Sequence, residues 1–459
     1  MQNLVKAWQW IKDLPSHDPN SFFCIAGFHG EPFRGPGVTD ANWWGGYCNH
    51  GNVLFPTWHR AYILRLENAL RSAPGCEDLT MPYWDETLVS GEKPIPSIFT
   101  DPEFEGKPNP LCSYTLQETL VHNVKGANGR YTKKKGYATV RYPLSGLVGN
   151  PEDEGQTVIH NTKYPNPGDN TKILNKNVAA WLNGTVRIPD DGSRASIPDT
   201  YSIHRRFQIS LGAPNYTVFS NTTSQNQWIK DFKPKDKHYV VSLESPHNAM
   251  HLALGGFYQK DKYNADPIIG ANGDMGDNET ASFDPIFYFH HCFIDYAFWV
   301  WQKFHEKTER GALEVIPYYP GTIVPDNEAS PFLPPGTKLS MDTSLYPFRK
   351  PDETYYSSHD VTNIAELGYD YEPGSLEYVS RAPLGELPEI SSRIVKMKRV
   401  HNISRAEYLG SFVIRTFVGT SEEDKVEIGH EPVLSRRNIA GCANCQNKLE
   451  VESLIPIYD

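Results

Sequence analysis

The sequence predicts a mainly α protein: a helical bundle with long loops over residues 1–372, a linker over 373–393 and a small all-β module over 394–459. Three observations predict it. In FPTWHRAYILRLENALRS, Tyr62, Leu66 and Leu70 stand four apart with Ile63 alongside, the spacing of one helix face. Residues 286–302 are apolar on nearly all sides, as a helix inside a bundle must be. From residue 394 the period shortens to two in IVKMKRV, YLGSFVIRTFVG and KVEIGHEPVL, where alternation with β-branched residues reads as strands.

Taken in order, residues 4–14 read as a first helix and 58–72 as a second, with Thr57 as its N-cap and Arg60, Arg65, Glu67 and Asn68 filling much of its remaining surface. Residues 100–235 are rich in Pro, Gly, Asn and Lys, which predicts long surface excursions with a few short helices. A helix returns over 247–255. Asp284-Pro285 opens the buried one, with Asp as N-cap and Pro in the first turn, running to about residue 306. Residues 313–358 read as Pro-rich loops, and EPGSLEYVSRAPLGELPEISS as the linker. No internal repeat or low-complexity tract is visible.

At 459 residues the chain exceeds one ordinary core. Its net charge of −11, from 44 basic and 55 acidic residues, argues against a general nucleic-acid binder. The opening MQNLVKAWQWIKDLP lacks the apolar stretch of a signal peptide, and no run of about eighteen apolar residues exists to span a membrane. Seven scattered cysteines do not form a disulfide framework, which favours a reducing, cytoplasmic setting. Five glycosylation sequons, at Asn183, Asn215, Asn221, Asn278 and Asn402, point the other way, but such triplets often arise by chance.

The histidines are placed unevenly. His29, His50 and His59 fall early; His247, His251 and the adjacent pair His290 and His291 fall late. His247 and His251 are four apart, which sets both rings on one helix face. A lone pair at this spacing arises by chance more often than at a site, and a single buried histidine is more often a hydrogen-bonded core residue. The conjunction of three early and three late imidazoles, among aromatics, Gly and Pro, carries the inference. The cysteines and carboxylates form no zinc-ribbon spacing. A donor set of neutral imidazoles suits a late first-row metal; copper binds such sites most tightly, and zinc is also suited. Three ligands per metal leave a position open for chemistry.

FPTWHRAY with the upstream FHG and CNH, PHNAMH, and FDPIFYFHHCFID resemble the tyrosinase/haemocyanin family of type-3 copper proteins, in particular fungal tyrosinases that retain a C-terminal cap. The motifs span residues 21–67 and 244–302. The resemblance implies a dicopper catalytic domain, with His29, His50 and His59 on the first copper and His247, His251 and His291 on the second, and O2 as co-substrate. It implies that His290 orients the site as a neighbour, that Phe287 packs against the ligand rings, and that Asp295 caps or orients. Cys48 matches the position that forms a thioether to the ring of His50; a free buried thiol is the alternative. Glu244 and Asn248 match the pair that holds the water accepting a monophenol's proton, sound general-base chemistry; a helix N-terminal carboxylate favoured by the dipole would explain Glu244 equally well. Asn278 falls near where the family places a residue over the second copper.

The implied activity is tyrosinase-like: ortho-hydroxylation of monophenols and oxidation of the diphenol to a quinone. A zinc-dependent non-redox biosynthetic enzyme of the same fold, such as a ring-contracting one, and an oxygen-carrier unit are the alternatives. The expected partner is a small phenol, with no nucleic acid and no membrane; a homo-oligomer stays open. Tyr369-Asp370-Tyr371 matches the motif that ends the catalytic domain, after which the cap is expected to cover the site and keep the enzyme latent, with Phe412, Phe417, Val433 and Leu434 as candidate plugs. Cys442 and Cys445, in GCANCQ, have soft thiolates at a spacing that suits Cu(I), and the resemblance implies copper loading; a redox disulfide or an incidental pair are the alternatives.

Overall fold

The computed structural model describes residues 1–30, 46–88, 93–121, 132–149, 151–186, 194–195, 201–231, 239–257, 273–324, 333–380, 394–408, 410–421, 424–436, 439 and 449–458. Helix α1 (Gln2–Asp13) buries Leu4, Ala7, Trp8 and Ile11, one face at helical spacing. Helix α2 (Phe22–Ala26) starts at Ser21, whose side chain accepts from the Cys24 N–H. Helix α3 (Phe55–Arg71) begins earlier than expected. Pro56 sits in its first turn, where a missing N–H costs nothing, and Leu54 is the N-cap. Thr57 is therefore not the cap: its hydroxyl lies inside the first turn, 3.3 Å from the Leu54 carbonyl and 2.7 Å from the Ser358 hydroxyl.

The middle of the chain departs most from expectation. Between the two-residue strand pairs β1 (Glu103–Phe104) with β2 (Lys107–Pro108) and β3 (Leu120–Val121) with β4 (Thr132–Lys133) and the next long helix lie α4 (Pro151–Asn161), α5 (Pro167–Leu182), α6 (Ile203–Leu211), α7 (Tyr216–Ser220) and α8 (Thr222–Lys230), with β5 (Arg194–Ala195) between α5 and α6. These are not surface excursions. Leu174, Val178 and Trp181 of α5 and Phe207 and Leu211 of α6 join the main core. Their spacing is helical, with Asn and Lys between the buried positions of α5 and His, Arg and Gln between those of α6.

Helices α9 (Glu244–Gly255) and α10 (Ile286–Phe304) complete the bundle. Every residue of α10 from Ile286 to Gln302 is buried, and α10 packs along α3. Pro285 is the N-cap of α10; Asp284 before it accepts from the Ile286 N–H at 3.1 Å, and its two oxygens receive the buried Arg141 guanidinium at 2.6 and 2.7 Å. Within the expected Pro-rich loops lies a hairpin, β6 (Ser344–Arg349) with β7 (Tyr355–Ser357). The expected linker opens with a helical turn, α11 (Ser375–Ser380), against α10 and α6.

The C-terminal strands are antiparallel pairs: β8 (Ile394–Ser404) with β11 (Glu450–Tyr458), and β9 (Phe412–Val418) with β10 (Val426–Val433). Phe412, Ile414, Val433 and Val451 form their own small core. The module is nevertheless stitched to the bundle. β10 pairs in parallel with β5, and Arg206 of α6 donates to both Glu431 oxygens at 2.8 and 3.2 Å and to the His430 carbonyl. No helix among the described residues is long and apolar enough to cross a membrane.

Candidate metal centre

Five segments bring histidines to one point. His29 lies in the turn after α2, His50 in the irregular stretch before α3, His59 on α3, His247 and His251 on α9, and His290 and His291 on α10. Ring centroids link them into one cluster: His29 to His50 and His59 at 5.4 and 5.6 Å, His50 to His59 at 5.2 Å, His247 to His251 at 4.5 Å and to His291 at 5.0 Å. His59 and His291 bridge the early and late groups, stacked at 4.4 Å. One donor atom from each of His247, His251, His290 and His291 fits within a 4.8 Å span.

The rings are held by the nitrogen that faces outward. His59 Nδ1 bonds the Phe55 carbonyl at 2.8 Å, His251 Nδ1 the Met275 carbonyl at 2.8 Å, and His247 Nδ1 the Asn248 Oδ1 at 2.9 Å. The Nε2 atoms of all three are buried without a hydrogen-bond partner. A buried lone pair with no partner is costly unless something binds it, and anchoring one nitrogen to aim the other is how proteins orient imidazole ligands. Burial pushes all seven imidazoles down, that of His59 to about 3. After burial, neighbouring imidazoles lower His29, His50, His247 and His291 further. The rings are neutral and available as metal donors at neutral pH.

His290 lies in the same cluster and has an anchor of its own. Its Nδ1 lies 2.6 Å from Oε1 of Glu86, a carboxyl buried in the bundle, while its Nε2 has no partner and belongs to the cluster. Burial raises Glu86 and lowers His290. Glu86, in the loop stretch PYWDET, carries no sequence signal for this role. Phe287 packs as expected, its centroid 4.1 Å from His291 and 4.9 Å from His29. Asp295 is a hub: one oxygen takes Arg60 Nε at 2.5 Å, and the other takes the hydroxyls of Tyr369 and Tyr371 at 2.6 and 2.7 Å.

The loop that closes the pocket depends on bare glycine. A Cβ on Gly255 would fall 1.7 Å from the Gly276 nitrogen, and one on Gly30 would fall 2.2 Å from the Glu279 carbonyl. These approaches bring the Met275 carbonyl to His251 and press residues 278–279 against the His29 turn. Asn278 stands near Cys48, its Nδ2 4.0 Å from the sulfur.

Glu244 is buried at the start of α9. Its Oε1 accepts from the Gly51 N–H at 2.5 Å and its Oε2 from the Thr222 N–H and hydroxyl, both at 2.9 Å. A carboxylate offers about four acceptor sites, so Oε1 keeps one. Asn248 is half-buried and faces a polar cleft under the cap, lined also by Arg206, Arg405, Glu431 and Val433. Of the candidate plugs, Phe412 and Phe417 serve the cap itself: Phe412 stacks on Tyr408 at 4.3 Å, and Phe417 lies under Arg415 and Lys425. Val433 lines the cleft and Leu434 enters the main core. Among the described cap residues, Arg436, fully buried, reaches Cys48 beside the early histidines, with Nη2 3.4 Å from its Sγ. Cys442 and Cys445 lie outside the described residues.

A buried helical bundle that aims neutral imidazoles at one another defines a protein built to hold a late first-row metal by nitrogen alone. Residues 19–304 match the family model for the common central domain of tyrosinase. The chain is 46% identical to tyrosinase HcTyr2 of Hahella sp., covering 100% of this chain and 84% of the relative, and 42% identical to a tyrosinase of Aspergillus oryzae, covering 100% and 86%. It superposes on a Burkholderia thailandensis tyrosinase at low pH with a TM-score of 0.80, at 43% identity over 99% of this chain and 87% of that one. The chain belongs to the tyrosinase family. It is a copper oxidoreductase of the tyrosinase/polyphenol oxidase type, and the family's dicopper centre fits the donor set found here.

Proposed function

We propose that the protein uses O2 to ortho-hydroxylate monophenols and to oxidise o-diphenols to o-quinones, with His29, His50 and His59 holding one copper and His247, His251 and His291 the other. The observation that carries this reading is the anchoring pattern: outward nitrogens of His59, His247 and His251 bonded, inward nitrogens bare and buried. His290, aimed the same way and backed by Glu86, is a further donor on the late side. When bound, the copper pair supplies two-electron chemistry on dioxygen.

The rest falls to the chain's own side chains. Phe287 and the aromatic face of α10 keep the pocket dry. Asn248 spends its Oδ1 on His247 and keeps its Nδ2 for a water in the cleft; Oε1 of Glu244 has one acceptor site for the same water. That water takes the monophenol's proton as the phenolate forms. A diphenol needs this help less. The cap, clamped by Arg206 and Glu431 over the cleft that Asn248 lines, keeps the enzyme latent. Cys48 forms the thioether to His50, and Cys442 with Cys445 hands on copper.

The test is Asn248→Leu after cap removal. Loss of general-base help costs about 10²–10⁴-fold, so monophenol turnover should fall on that order while diphenol oxidation persists. Equal loss of both activities would sink the water-holding role.

A further inference from the structure

The cap does something at the early histidines that covering the site does not require. Arg436 is fully buried, beyond the end of β10, and its Nη2 points at Cys48 Sγ from 3.4 Å. Asn278 approaches the same sulfur at 4.0 Å. Asn278 is tied to the cap in turn, its N–H donating to the Ser435 carbonyl at 3.4 Å. The sulfur and one nitrogen from each of His29 and His50 lie within 4.8 Å of one another. A cap arginine, a loop asparagine and the metal pocket thus converge on one thiol.

We propose that Arg436 is a positioning residue for maturation: it holds Cys48 against the ring of His50 so that the thioether forms while the cap is in place. The inference rests on the thioether assigned above. The step balances as follows. The Cys48 S–H and a His50 ring C–H break and one S–C bond forms. Two electrons and two protons pass to dioxygen, which leaves as hydrogen peroxide. Forming that bond requires the sulfur to stay in one rotamer beside the ring, and orientation of this kind is worth orders of magnitude in rate. Two donors arriving from different elements fix the Cys48 rotamer in a way a free thiol would not be fixed. The cap is then a template for the mature site as well as its cover, and a chain that loses the cap before the bond is made should mature slowly.

The test uses the full-length chain, prepared without metal or oxygen, then given copper and air. The readout is the mass of the peptide carrying Cys48 and His50 over time, with alkylation of Cys48 as a second measure. The unmodified chain should yield a peptide lighter by two hydrogens and a thiol that no longer alkylates. Arg436→Ala should make the bond about tenfold more slowly or worse, and Arg436→Lys, which restores one charged donor, should recover part of the rate. Arg436→Met keeps the buried volume and carries the test if the alanine variant does not fold. Arg399→Ala, which removes a half-exposed cap charge paired with Glu452 and leaves the Arg206–Glu431 clamp and Cys48 alone, should mature at the normal rate. Normal kinetics in Arg436→Met, or equal slowing in Arg399→Ala, would overturn the positioning role and leave the thioether standing. No mass change in the unmodified chain would remove the thioether and the inference with it.

Discussion

Residue chemistry decides what the pocket can hold. The i, i+4 pair His247 and His251 was legible because a helix face is written in spacing. Which nitrogen of each ring binds inward was not, because it depends on a carbonyl from Met275 and an amide from Asn248. Glu86 is the clearest omission. Its position next to His290 is set by a fold contact between residues 204 apart in sequence. Removing the outer partner of a metal-binding imidazole weakens metal binding about 10–100-fold. Glu86→Ala should do so, measured by competition with a chelator; unchanged affinity would return His290 to a packing role. Asp295 is as informative. It was expected to cap or orient, and it in fact neutralises buried Arg60 while binding both tyrosines of the YxY motif. Asp295→Ala leaves a buried guanidinium without its anion, which costs about 3–5 kcal/mol. A drop of that size in denaturant unfolding is expected, and a neutral result would show that the Gln302 and backbone bonds to Arg60 suffice.

Among elements, the helices that carry ligands were readable and those that brace them were not. α3 and α9 announce themselves by helical spacing and α10 by apolar residues on nearly all sides, with the starts of α3 and α9 off by three residues because Phe55 and Glu244, not Trp58 and His247, open them. α5 was hidden by Asn and Lys between its buried positions, α6 by His, Arg and Gln between its own, and the hairpin of β6 and β7 by prolines. The cap strands were visible by alternation, but their attachment was not. It turns on Arg206, Glu431 and His430, the last buried against Trp181 at 5.4 Å and Tyr201 at 5.6 Å. Burial lowers His430, the nearby Arg206 charge lowers it further, and Glu427 and Glu431 oppose both. In the released cap His430 returns to its ordinary value of 6.5. The released form therefore binds more protons below that pH, and docking weakens as pH falls from there towards the lowered docked value. Faster proteolysis of the cap at pH 5 than at pH 7 is expected, with the difference reduced in His430→Phe. An unchanged difference in that variant would place acid sensitivity elsewhere.

Across the whole molecule, a bundle buries the histidine cage and a β module docks over a polar cleft lined by Asn248, next to His247 on α9. The sequence motifs reach the cage because each ligand sits in a short, distinctive string. They do not reach the closure: the Gly255–Gly276 and Gly30–Glu279 approaches, the parallel pairing of β10 with β5, and the descent of Arg436 to Cys48 are long-range contacts that no local pattern encodes. Phe412 and Phe417, two of the four candidate plugs, are taken up by contacts within the cap. The account's central claim is that the histidine cluster is a dicopper oxidase centre. Metal analysis of the purified chain, combined with its absorption spectrum on adding hydrogen peroxide, tests it most directly. The account predicts two coppers per chain and a charge-transfer band that appears with peroxide. Zinc in place of copper, with no such band after copper reconstitution, would contradict it and turn the same cage towards non-redox chemistry.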